Sequence, residues 1–242
     1  MNEKIETLQK WIDESRRIVF FGGAGVSTES GIPDFRSTGG LYNQEYDYPP
    51  ETIVSATFFQ QNPGEFYRFY RDRMIYQEAK PNAAHLKLAE LEKAGKLTAI
   101  VTQNIDGLHQ AAGSRNVLEL HGSVKRNHCI QCGKFYPLSA VTGTDGIPRC
   151  EHCGGLIKPD VVLYEEALDE QVLSDAVDAI YDCDLLIIGG TSLSVYPAAG
   201  LIRYMRKNAK LCIVNLSATS ADDEADLVIA EGIDEVFRQI EI

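Results

Sequence analysis

Four of the six cysteines form two Cys-x-x-Cys pairs, Cys129 with Cys132 and Cys150 with Cys153. The 17 residues between the pairs (133–149) give a spacing that is typical of zinc ribbons. Because four thiolates complete a tetrahedral shell, the spacing predicts a structural Zn²⁺ site rather than a catalytic one. Two redox-active pairs are the alternative, but neither pair stands at the start of a helix that follows a strand.

A glycine-rich loop, GGAG at 22–25, follows a short apolar run at 18–21. Such a run is typical of a buried parallel strand, and the loop is close to the G-x-G-x-x-G/A turn that brings backbone N–H groups to a pyrophosphate at a helix N-terminus. Thr28 stands where that turn usually has its last glycine. Glycines after a strand often only make a turn, so the loop alone is weak support for a dinucleotide site.

A second polar segment, PDFR at 33–36, comes shortly after this loop. It places a carboxylate, an aromatic ring and a guanidinium within three residues, and its proline keeps it out of a helix. A surface loop with a local ion pair would have the same composition. We favour a loop that folds over a bound cofactor.

Polar side chains also follow other apolar runs. Gln103, Asn104 and Asp106 come after the run at 97–102, and His121 follows a shorter run. The carboxyl ends of parallel strands are where α/β proteins bind ligands, which favours a site over a set of strand caps. Histidine, with an ordinary pKa of about 6.5, suits a neutral base at cellular pH, although a lone histidine is more often structural.

The hydrophobic pattern predicts the scaffold for these residues. Buried strands are predicted at 18–21, 97–102, 117–120, 161–163, 184–190, 211–216 and 226–230. Helices are predicted at 5–12, 81–95, 168–181 and 196–207, with Leu86, Leu88 and Leu91 on the apolar side of the second and His85 as a capping or structural residue. This alternation predicts the α/β class, with a doubly wound Rossmann-like parallel sheet.

Two stretches depart from the alternation. Aromatic residues crowd positions 57–76, which favours a helical core, and positions 123–159 carry the cysteine pairs with little helical periodicity. We therefore expect a discontinuous Rossmann-like domain (1–38, 81–122 and 160–242), a helical insertion (39–80) and a zinc-binding module (123–159). The module has too few apolar residues to fold alone, so the metal should replace a core.

The composition is ordinary for a globular protein, with 242 residues, 44% hydrophobic and 24% charged. A net charge of −12 disfavours nucleic acid or an anionic membrane surface as a partner. We see neither a signal-peptide pattern nor an apolar run of membrane-spanning length. The expectation is a cytoplasmic protein, with metal-bound rather than disulfide-bonded cysteines and no membrane partner.

Together these motifs resemble the sirtuin (Sir2-like) family of NAD-dependent protein deacylases, of the prokaryotic type. The matching segments are GAGVS (23–27), GIPDFRS (31–37), TQNIDGLH (102–109), ELHGS (119–123), the two cysteine pairs, KPDVVLYEE (158–166) and GTSLSVYPAAG (190–200). They occur in the family's order from about position 17 to 215. The resemblance implies NAD as co-substrate, a structural Zn²⁺ ion and acyl-lysine proteins or peptides as substrates.

The resemblance also implies roles for individual residues. His121 matches the catalytic base and Asn104 the residue that orients a water molecule. The residues expected to bind NAD are Gly23, Ala24, Gly25, Thr28, Asp34, Phe35, Arg36, Gln103, Asn104, Ile105, Asp106, His121, Gly190, Thr191, Ser192, Asn215 and Ile233. The residues expected to hold the substrate peptide are Val161, Val162, Leu163, Tyr164 and Val195. Asp106 could instead serve only as a turn residue before Gly107.

The implied reaction consumes NAD. The amide oxygen of acyl-lysine attacks C1′ of the nicotinamide ribose, nicotinamide leaves, and His121 deprotonates a ribose hydroxyl, which attacks the former amide carbon. Water completes the transfer to give lysine and O-acyl-ADP-ribose. The peptide is expected to bind as an added strand, which tolerates many sequences. Glu165 stands where the family often has glycine, and its charge is expected to favour basic flanking residues.

Other classes of function stay open from the sequence. An NAD-dependent oxidoreductase would need an acidic residue about 20 positions after the glycines, and Glu45 lies near that distance without a predicted strand before it. A non-enzymatic ADP-ribose reader, a zinc-ribbon nucleic-acid binder and a mono-ADP-ribosyltransferase are the other candidates. The acidic net charge and the lack of a basic stripe in the sequence disfavour the nucleic-acid binder.

The acyl preference depends on an ambiguous register. Sirtuins that remove succinyl or malonyl groups carry a Tyr-x-x-Arg pair, which Tyr70 and Arg73 supply when counted forward from 62–63. Counted backward from 81–85, Tyr67 and Tyr70 fall there instead. We expect deacetylation, with Arg73 turned to solvent, in a monomeric enzyme.

Overall fold

The structure, a computed structural model, describes residues 2–34 and 48–242. In chain order its strands are β1 (Ile18–Gly22), β2 (Leu97–Thr102), β3 (Val117–Glu119), β4 (Gly122–Cys129), β5 (Phe135–Pro137), β6 (Ile157–Val161), β7 (Leu185–Gly189), β8 (Lys210–Val214) and β9 (Leu227–Ile229). Its α-helices are α1 (Glu3–Glu14), α2 (Pro50–Ile53), α3 (Ala56–Gln61), α4 (Pro63–Arg73), α5 (Ala83–Lys93), α6 (Leu108–Ala112), α7 (Ser139–Thr142), α8 (Glu170–Asp182) and α9 (Ile233–Arg238). Short 3₁₀ helices cover Ala24–Val26, Thr28–Ser30, Ala198–Tyr204 and Asp222–Glu224.

Six strands form one parallel sheet in the order β3-β2-β1-β7-β8-β9. The chain builds outward from β1 to β3, then returns to the other side of β1 and builds outward again. This order confirms the predicted doubly wound sheet. The order reverses between β1 and β7, whose last residues, Gly22 and Gly189, are directly paired. Ligands of such sheets bind at this reversal, beyond the carboxyl ends of the strands.

Helices cover both faces of the sheet, so the central strands are buried on two sides. Ile18 and Phe20 of β1 join a core cluster with α1, α5 and α9. Val19 and Phe21 point the other way, into a cluster with α8 and the 3₁₀ helix Ala198–Tyr204. All four side chains are fully buried, and each contributes about 1.5–3 kcal/mol to stability. The uninterrupted apolar run of β1 follows from this burial on both faces.

The predicted helix at 81–95 is α5, but one residue of its predicted apolar face is wrong. Leu86 is 48% exposed, whereas Ala84, Leu88 and Leu91 are buried. Positions 84, 88 and 91 repeat at four and three residues and share one face, while position 86 lies between those turns. Asn82 rather than Pro81 caps the helix, and His85 completes a capping box, as expected for a capping histidine.

Two further element predictions need correction. The predicted helix at 196–207 is a 3₁₀ helix, Ala198–Tyr204, and Gly200 in its centre lowers the propensity for an α-helix. A strand was predicted at 161–163, but the observed strand β6 covers Ile157–Val161, so only Val161 of the predicted range is in it. This strand pairs antiparallel with β4 in a separate small sheet of order β5-β4-β6.

The small sheet packs against α2–α4 through a shared apolar cluster. Phe66, Tyr67 and Tyr70 of α4 are buried there, which confirms the helical aromatic core predicted at 57–76. The Tyr67 hydroxyl donates to the Ile157 carbonyl, and Arg71 Nε donates to the Val141 carbonyl at 2.8 Å. The division of the chain into three parts stays a prediction, but its helical insertion and zinc module share one core.

None of the helices in residues 2–34 and 48–242 combines the length and the apolar character needed to cross a membrane.

Candidate active site and metal centre

A cavity of about 690 Å³ lies beyond the carboxyl ends of the sheet strands. It is lined by every predicted NAD-binding or substrate-binding residue that the structure describes: Gly23, Ala24, Gly25, Thr28, Asp34, Gln103, Asn104, Ile105, Asp106, His121, Val161, Val162, Leu163, Tyr164, Gly190, Thr191, Ser192, Val195, Asn215 and Ile233. Phe35, Arg36 and Glu45 lie outside the described residues. The predicted residues therefore come together, while the role of each stays a prediction.

Two glycine loops meet at the sheet reversal. The Gly25 N–H donates to the Gly190 carbonyl at 2.8 Å. A Cβ atom on Gly25 would lie 2.8 Å from Gly190 Cα, and one on Gly190, which has a φ of +58°, would lie 2.4 Å from Val26 N. Only glycines permit this approach, so the two loops form a cradle that is lined by backbone.

The glycine loop is present as predicted, but the α-helix expected after it is not present in residues 24–30. The glycine loop leads into two 3₁₀ turns, Ala24–Val26 and Thr28–Ser30, rather than into an α-helix. Thr28 Oγ1 donates to the Gly25 carbonyl at 3.1 Å. The threonine that replaces the third glycine of the fingerprint therefore stabilises the tight turn through its hydroxyl.

Ser27 connects two loops of the cavity. Its Oγ donates to Asp106 Oδ2 at 2.7 Å and accepts from Asn104 Nδ2 at 3.1 Å, and Ser27 is only 1% exposed. Asp106 Oδ1 also accepts the Leu108 N–H at 2.8 Å, so Asp106 is a turn residue as well as a cavity residue. Sequence reasoning did not single out Ser27. Its position between Gly25 and Thr28 in the loop was the available signal.

Two buried histidines lie behind this network. His85 Nε2 is 3.5 Å from Ser27 Oγ, and the His109 ring centroid is 4.8 Å from that of His85. Burial lowers the pKa of His85 to about 4, although the charges of Asp106 and Asp234 raise it. Burial and the neighbouring His85 lower the pKa of His109 to about 3. Both rings are therefore neutral at pH 7.

His121 is held in one tautomer. Its Nδ1 lies 3.0 Å from the Gln103 carbonyl, which only accepts, so Nδ1 carries the proton and the Nε2 lone pair is left to accept one. Burial lowers the pKa of His121, and the bond to Gln103 raises it less. The next residue, Gly122, has a φ of +72°. Only glycine fits there, because a Cβ atom would lie 1.9 Å from the Asp160 carbonyl oxygen. The arrangement is that of a neutral general base.

Thr191 joins the two halves of the cavity. Its Oγ1 accepts from Gln103 Nε2 at 3.1 Å and from the Leu193 N–H at 3.2 Å. Asn215 follows β8, and its Nδ2 donates to the Ser217 carbonyl at 2.7 Å. Together with Ile233 at the start of α9, these residues place polar groups and one apolar side chain around the cradle.

The predicted peptide-binding segment is fixed by its backbone. The Val162 N–H donates to the His121 carbonyl, and the Tyr164 N–H donates to the Val54 carbonyl, both at 3.0 Å. Arg73 is half-buried and lines the cavity, which corrects the expectation that it turns to bulk solvent. Its helix neighbour Tyr70 is fully buried, and its hydroxyl has no hydrogen-bond partner among the described residues.

The four paired cysteines form a separate cluster, with their Sγ atoms all within 4.8 Å of one another. The Sγ distances are 3.4 Å for Cys129–Cys153 and 3.6 Å for Cys132–Cys150. A disulfide would need about 2.05 Å, whereas a ZnS₄ tetrahedron with Zn–S bonds of about 2.3 Å has edges of about 3.8 Å. The four thiols therefore fit a closed structural Zn²⁺ shell.

Each cysteine pair is followed by a glycine in the left-handed region, Gly133 with a φ of +69° and Gly154 with a φ of +75°. These turns fold each pair back, so that the Gly133 N–H donates to the Cys129 carbonyl and the Gly154 N–H to the Cys150 carbonyl. The Tyr136 hydroxyl donates to Cys150 Sγ at 3.1 Å, which orients one thiolate.

A doubly wound sheet, a cradle of glycine loops and a neutral histidine in the same cavity define a dinucleotide-dependent enzyme with an appended structural metal module. Residues 23–197 match the model of the Sir2 family. The chain belongs to this family, as the sequence motifs indicated.

Relatives and solved structures agree with this assignment. A curated protein of Clostridium acetobutylicum, named NAD-dependent protein deacetylase, is 58% identical over 241 residues, 98% of each chain. A solved Sir2 structure with a p53 peptide and NAD⁺ is 40% identical, with a TM-score of 0.87 over 98% of this chain and 96% of that chain. A second, with deacetylated p53 peptide and 3′-O-acetyl-ADP-ribose, is 40% identical, with a TM-score of 0.89 over 97% of this chain and 96% of that chain.

Proposed function

We propose that this protein is an NAD-dependent protein-lysine deacetylase that transfers the acetyl group of acetyl-lysine to ADP-ribose and releases nicotinamide. The observation that carries the proposal is that His121, with a proton-free Nε2, lines the same cavity as the Ser27–Asn104–Asp106 network and the paired glycine loops. The names of the Clostridium relative and of the two solved structures support the same activity and the same co-substrate.

Residues in different parts of the cavity bind different parts of NAD. The backbone of the loops at 23–25 and 190–192 binds the phosphates, and Asn215 and Ile233 contact the adenosine half. Asp106 accepts the carboxamide N–H of nicotinamide, with Ser27 fixing its orientation. When bound, NAD supplies the electrophilic ribose carbon and the nicotinamide leaving group.

The proton-transfer step falls to His121. Its Nε2 removes a proton from a ribose hydroxyl, and the Gln103 carbonyl holds the resulting cation through Nδ1. Gln103 and Asn104, which are anchored by Thr191 and Ser27, orient the ribose and a water molecule. These anchors hold the side chains in place before the substrate binds, which lowers the cost of forming the transition state.

The four thiolates of Cys129, Cys132, Cys150 and Cys153 would hold Zn²⁺ as a structural ion. Bound zinc supplies folding free energy rather than chemistry, because its coordination shell is complete. The cluster lies at one end of the sheet β5-β4-β6, and the other end of β6 reaches the cavity at Val161. Loss of the metal would therefore disturb the substrate side of the cavity.

The substrate is an acyl-lysine protein or peptide, held in an extended form between the segments at 161–164 and 193–195. We place the protein in the cytoplasm as a monomer, acting without nucleic acid or membrane.

A second candidate is removal of acidic acyl groups such as succinyl or malonyl. Arg73 lines the cavity, and the buried Tyr70 hydroxyl has no partner among the described residues. A guanidinium and a phenol three positions apart on one helix can share a carboxylate ligand. Deacetylation stays the principal proposal because it is the activity in the relative's name.

The test is a product balance with NAD and a peptide that carries one acetyl-lysine. We expect free lysine peptide, nicotinamide and O-acetyl-ADP-ribose in equal amounts, without any NADH absorbance. NADH formation would instead indicate an oxidoreductase. ADP-ribose attached to the peptide would indicate a transferase, and intact NAD would indicate a binding module. His121→Ala is the control for contaminating activity.

A further inference from the structure

Glu165 has an unusual backbone for its residue type. Its φ is +77°, and only Leu193 shares such a value among the non-glycine residues that the structure describes. Glycine adopts this conformation without strain, whereas a residue with a Cβ atom does not. The backbone therefore does not favour glutamate at this position.

The carboxylate of Glu165 is fixed in place. Its Oε2 accepts the Thr57 N–H at 2.9 Å, at the start of α3. A hydrogen bond to the Thr57 side chain, together with this one to its N–H, lowers the pKa of Glu165, so the group is ionised at neutral pH. A charge that is held at one point can act on a ligand without first losing side-chain freedom.

Among the residues that the structure describes, the charge of Glu165 has no cationic partner. Within residues 2–34 and 48–242, no lysine, arginine or histidine forms an ion pair with it. Its neighbour Glu166 differs, because Lys158 Nζ lies 3.0 Å from Glu166 Oε2 and the Leu163 N–H donates to the same oxygen. Glu165 is therefore the carboxylate of this pair that is available to an external cation.

Glu165 lies where a substrate would pass. It lines the cavity directly after the segment at 161–164, which we propose to pair with the peptide backbone. Backbone pairing gives affinity without reading the sequence, so side chains at the cavity must supply any preference. An exposed carboxylate recognises lysine and arginine through charge, in a manner that salt weakens.

We propose that Glu165 is a specificity-determining residue that favours substrates with lysine or arginine within two positions of the acyl-lysine. The inference rests on the proposed deacetylase function and adds a preference to it.

The experiment compares kcat/KM at low ionic strength for one acetyl-lysine peptide with alanine flanks and for versions with a single arginine or glutamate at each of the four nearest positions. E165Q keeps an oxygen for the Thr57 N–H and removes the charge. E170Q is the matched control, because Glu170 lies in the first turn of α8, outside the cavity lining, and its loss changes the net charge equally.

An exposed ion pair changes kcat/KM by a factor of about 1.4–5. We expect the wild type to prefer arginine over alanine by about this factor at one or more positions, E165Q to lose the preference, and E170Q to keep it. Salt of about 0.5 M should reduce the preference in the wild type. An unchanged preference in E165Q, or an equal loss in E170Q, would overturn the inference while leaving the deacetylase function intact. Failure of the wild type to deacetylate the alanine-flanked peptide would overturn both.

Discussion

Ser27 Oγ lies 2.7 Å from Asp106 Oδ2, and this hydrogen bond joins the loop after β1 to the loop after β2. The serine is nearly fully buried, and the same oxygen accepts from Asn104. One hydroxyl thus sets the positions of a carboxylate and an amide that are expected to handle nicotinamide and water. Because the network reaches His85 on α5, it also connects the cavity with the core beneath the sheet's carboxyl edge.

If Ser27 orients Asp106, the two residues should act as a unit. A hydrogen bond to a charged group is worth about 1.5–3 kcal/mol, so Ser27→Ala should lower kcat/KM for NAD by about 10–100-fold. Asp106→Asn should weaken nicotinamide inhibition as well. The double variant should lose less than the product of the two single losses, because each single variant already breaks the same bond.

The control for this cycle is Ser30→Ala, since Ser30 Oγ accepts only from Asn82 Nδ2 in the described network. Its kcat/KM should stay within a few-fold of the wild type. Independent, multiplicative losses for Ser27→Ala and Asp106→Asn would show that the bond has no role in catalysis. Unchanged nicotinamide inhibition in Asp106→Asn would leave Asp106 as a turn residue only.

The base is tested by removing it and by its pH dependence. His121→Ala should lower kcat/KM by about 10²–10⁴, while NAD binding measured by calorimetry should survive because the glycine loops are untouched. Burial lowers the pKa of His121, so the wild-type rate should stay level down to about pH 6.5 and fall only below it. A variant that keeps more than about a tenth of the activity, or an acid limb above pH 6.5, would contradict this role.

The two buried histidines predict acid sensitivity of the fold. His85 and His109 have pKa values lowered to about 4 and about 3, so the unfolded chain binds more protons than the folded chain below about pH 6.5. Their contribution to stability is complete above that pH and is lost as pH falls to about 4 for His85 and about 3 for His109. At pH 5 the free energy of unfolding should be lower by about 2 kcal/mol for each histidine than at pH 7.

Urea unfolding of the wild type and of His109→Leu at pH 7 and pH 5 measures this effect. Whatever its stability at pH 7, the variant should lose about 2 kcal/mol less between the two pH values than the wild type does. An equal loss in both proteins would show that His109 is protonated in the folded state or is not buried.

Much of the fold could be predicted because it depends on local periodicity. The apolar run of β1 and the aromatic residues of α4 give signals within one element, and both were confirmed. Leu86 was assigned to the wrong face. Leucines at 86, 88 and 91 do not all lie on one side of a helix, and the sequence alone did not show which of them faces the core. The 3₁₀ form of Ala198–Tyr204 was missed because apolar periodicity does not separate it from an α-helix.

The inner network of the site could not be predicted in this way. Ser27 and Asp106 are 79 positions apart, and a single sequence does not say which strand ends meet. The cysteine cluster is the opposite case, because its spacing within the sequence was enough to favour a closed metal site over redox-active pairs. Strand-end positions indicated a ligand site at residues 103–106 and at His121, but the individual roles of the cavity residues came only from the family resemblance. The polar residues behind them, such as His85, were interpreted as local caps.

Substitution of a cysteine in the four-cysteine cluster should have a larger effect than substitution of a buried cysteine outside it. Cys150→Ser should abolish stoichiometric zinc, disorder the sheet β5-β4-β6 and remove activity, because the thiolates replace a core there. Cys183→Ala is the matched control, since Cys183 is buried beside α8 and outside the cluster. Zinc measured by elemental analysis, together with hydrogen exchange across 123–159, reports both effects. Fully active protein without metal would contradict the structural role.

The acyl preference is the last prediction. Arg73 lines the cavity, where a succinyl carboxylate would interact with its charge more strongly than a neutral acetyl group. Tyr70 is too deeply buried to be oriented by solvent, and burial raises its pKa, so it stays a neutral donor. We expect kcat/KM to be higher for acetyl-lysine than for succinyl-lysine on the same peptide, and Arg73→Met to change the acetyl value by less than about tenfold. If succinyl-lysine is removed faster and Arg73→Met erases that advantage, Tyr70 and Arg73 form an acyl-carboxylate site, and deacetylation is not the principal activity.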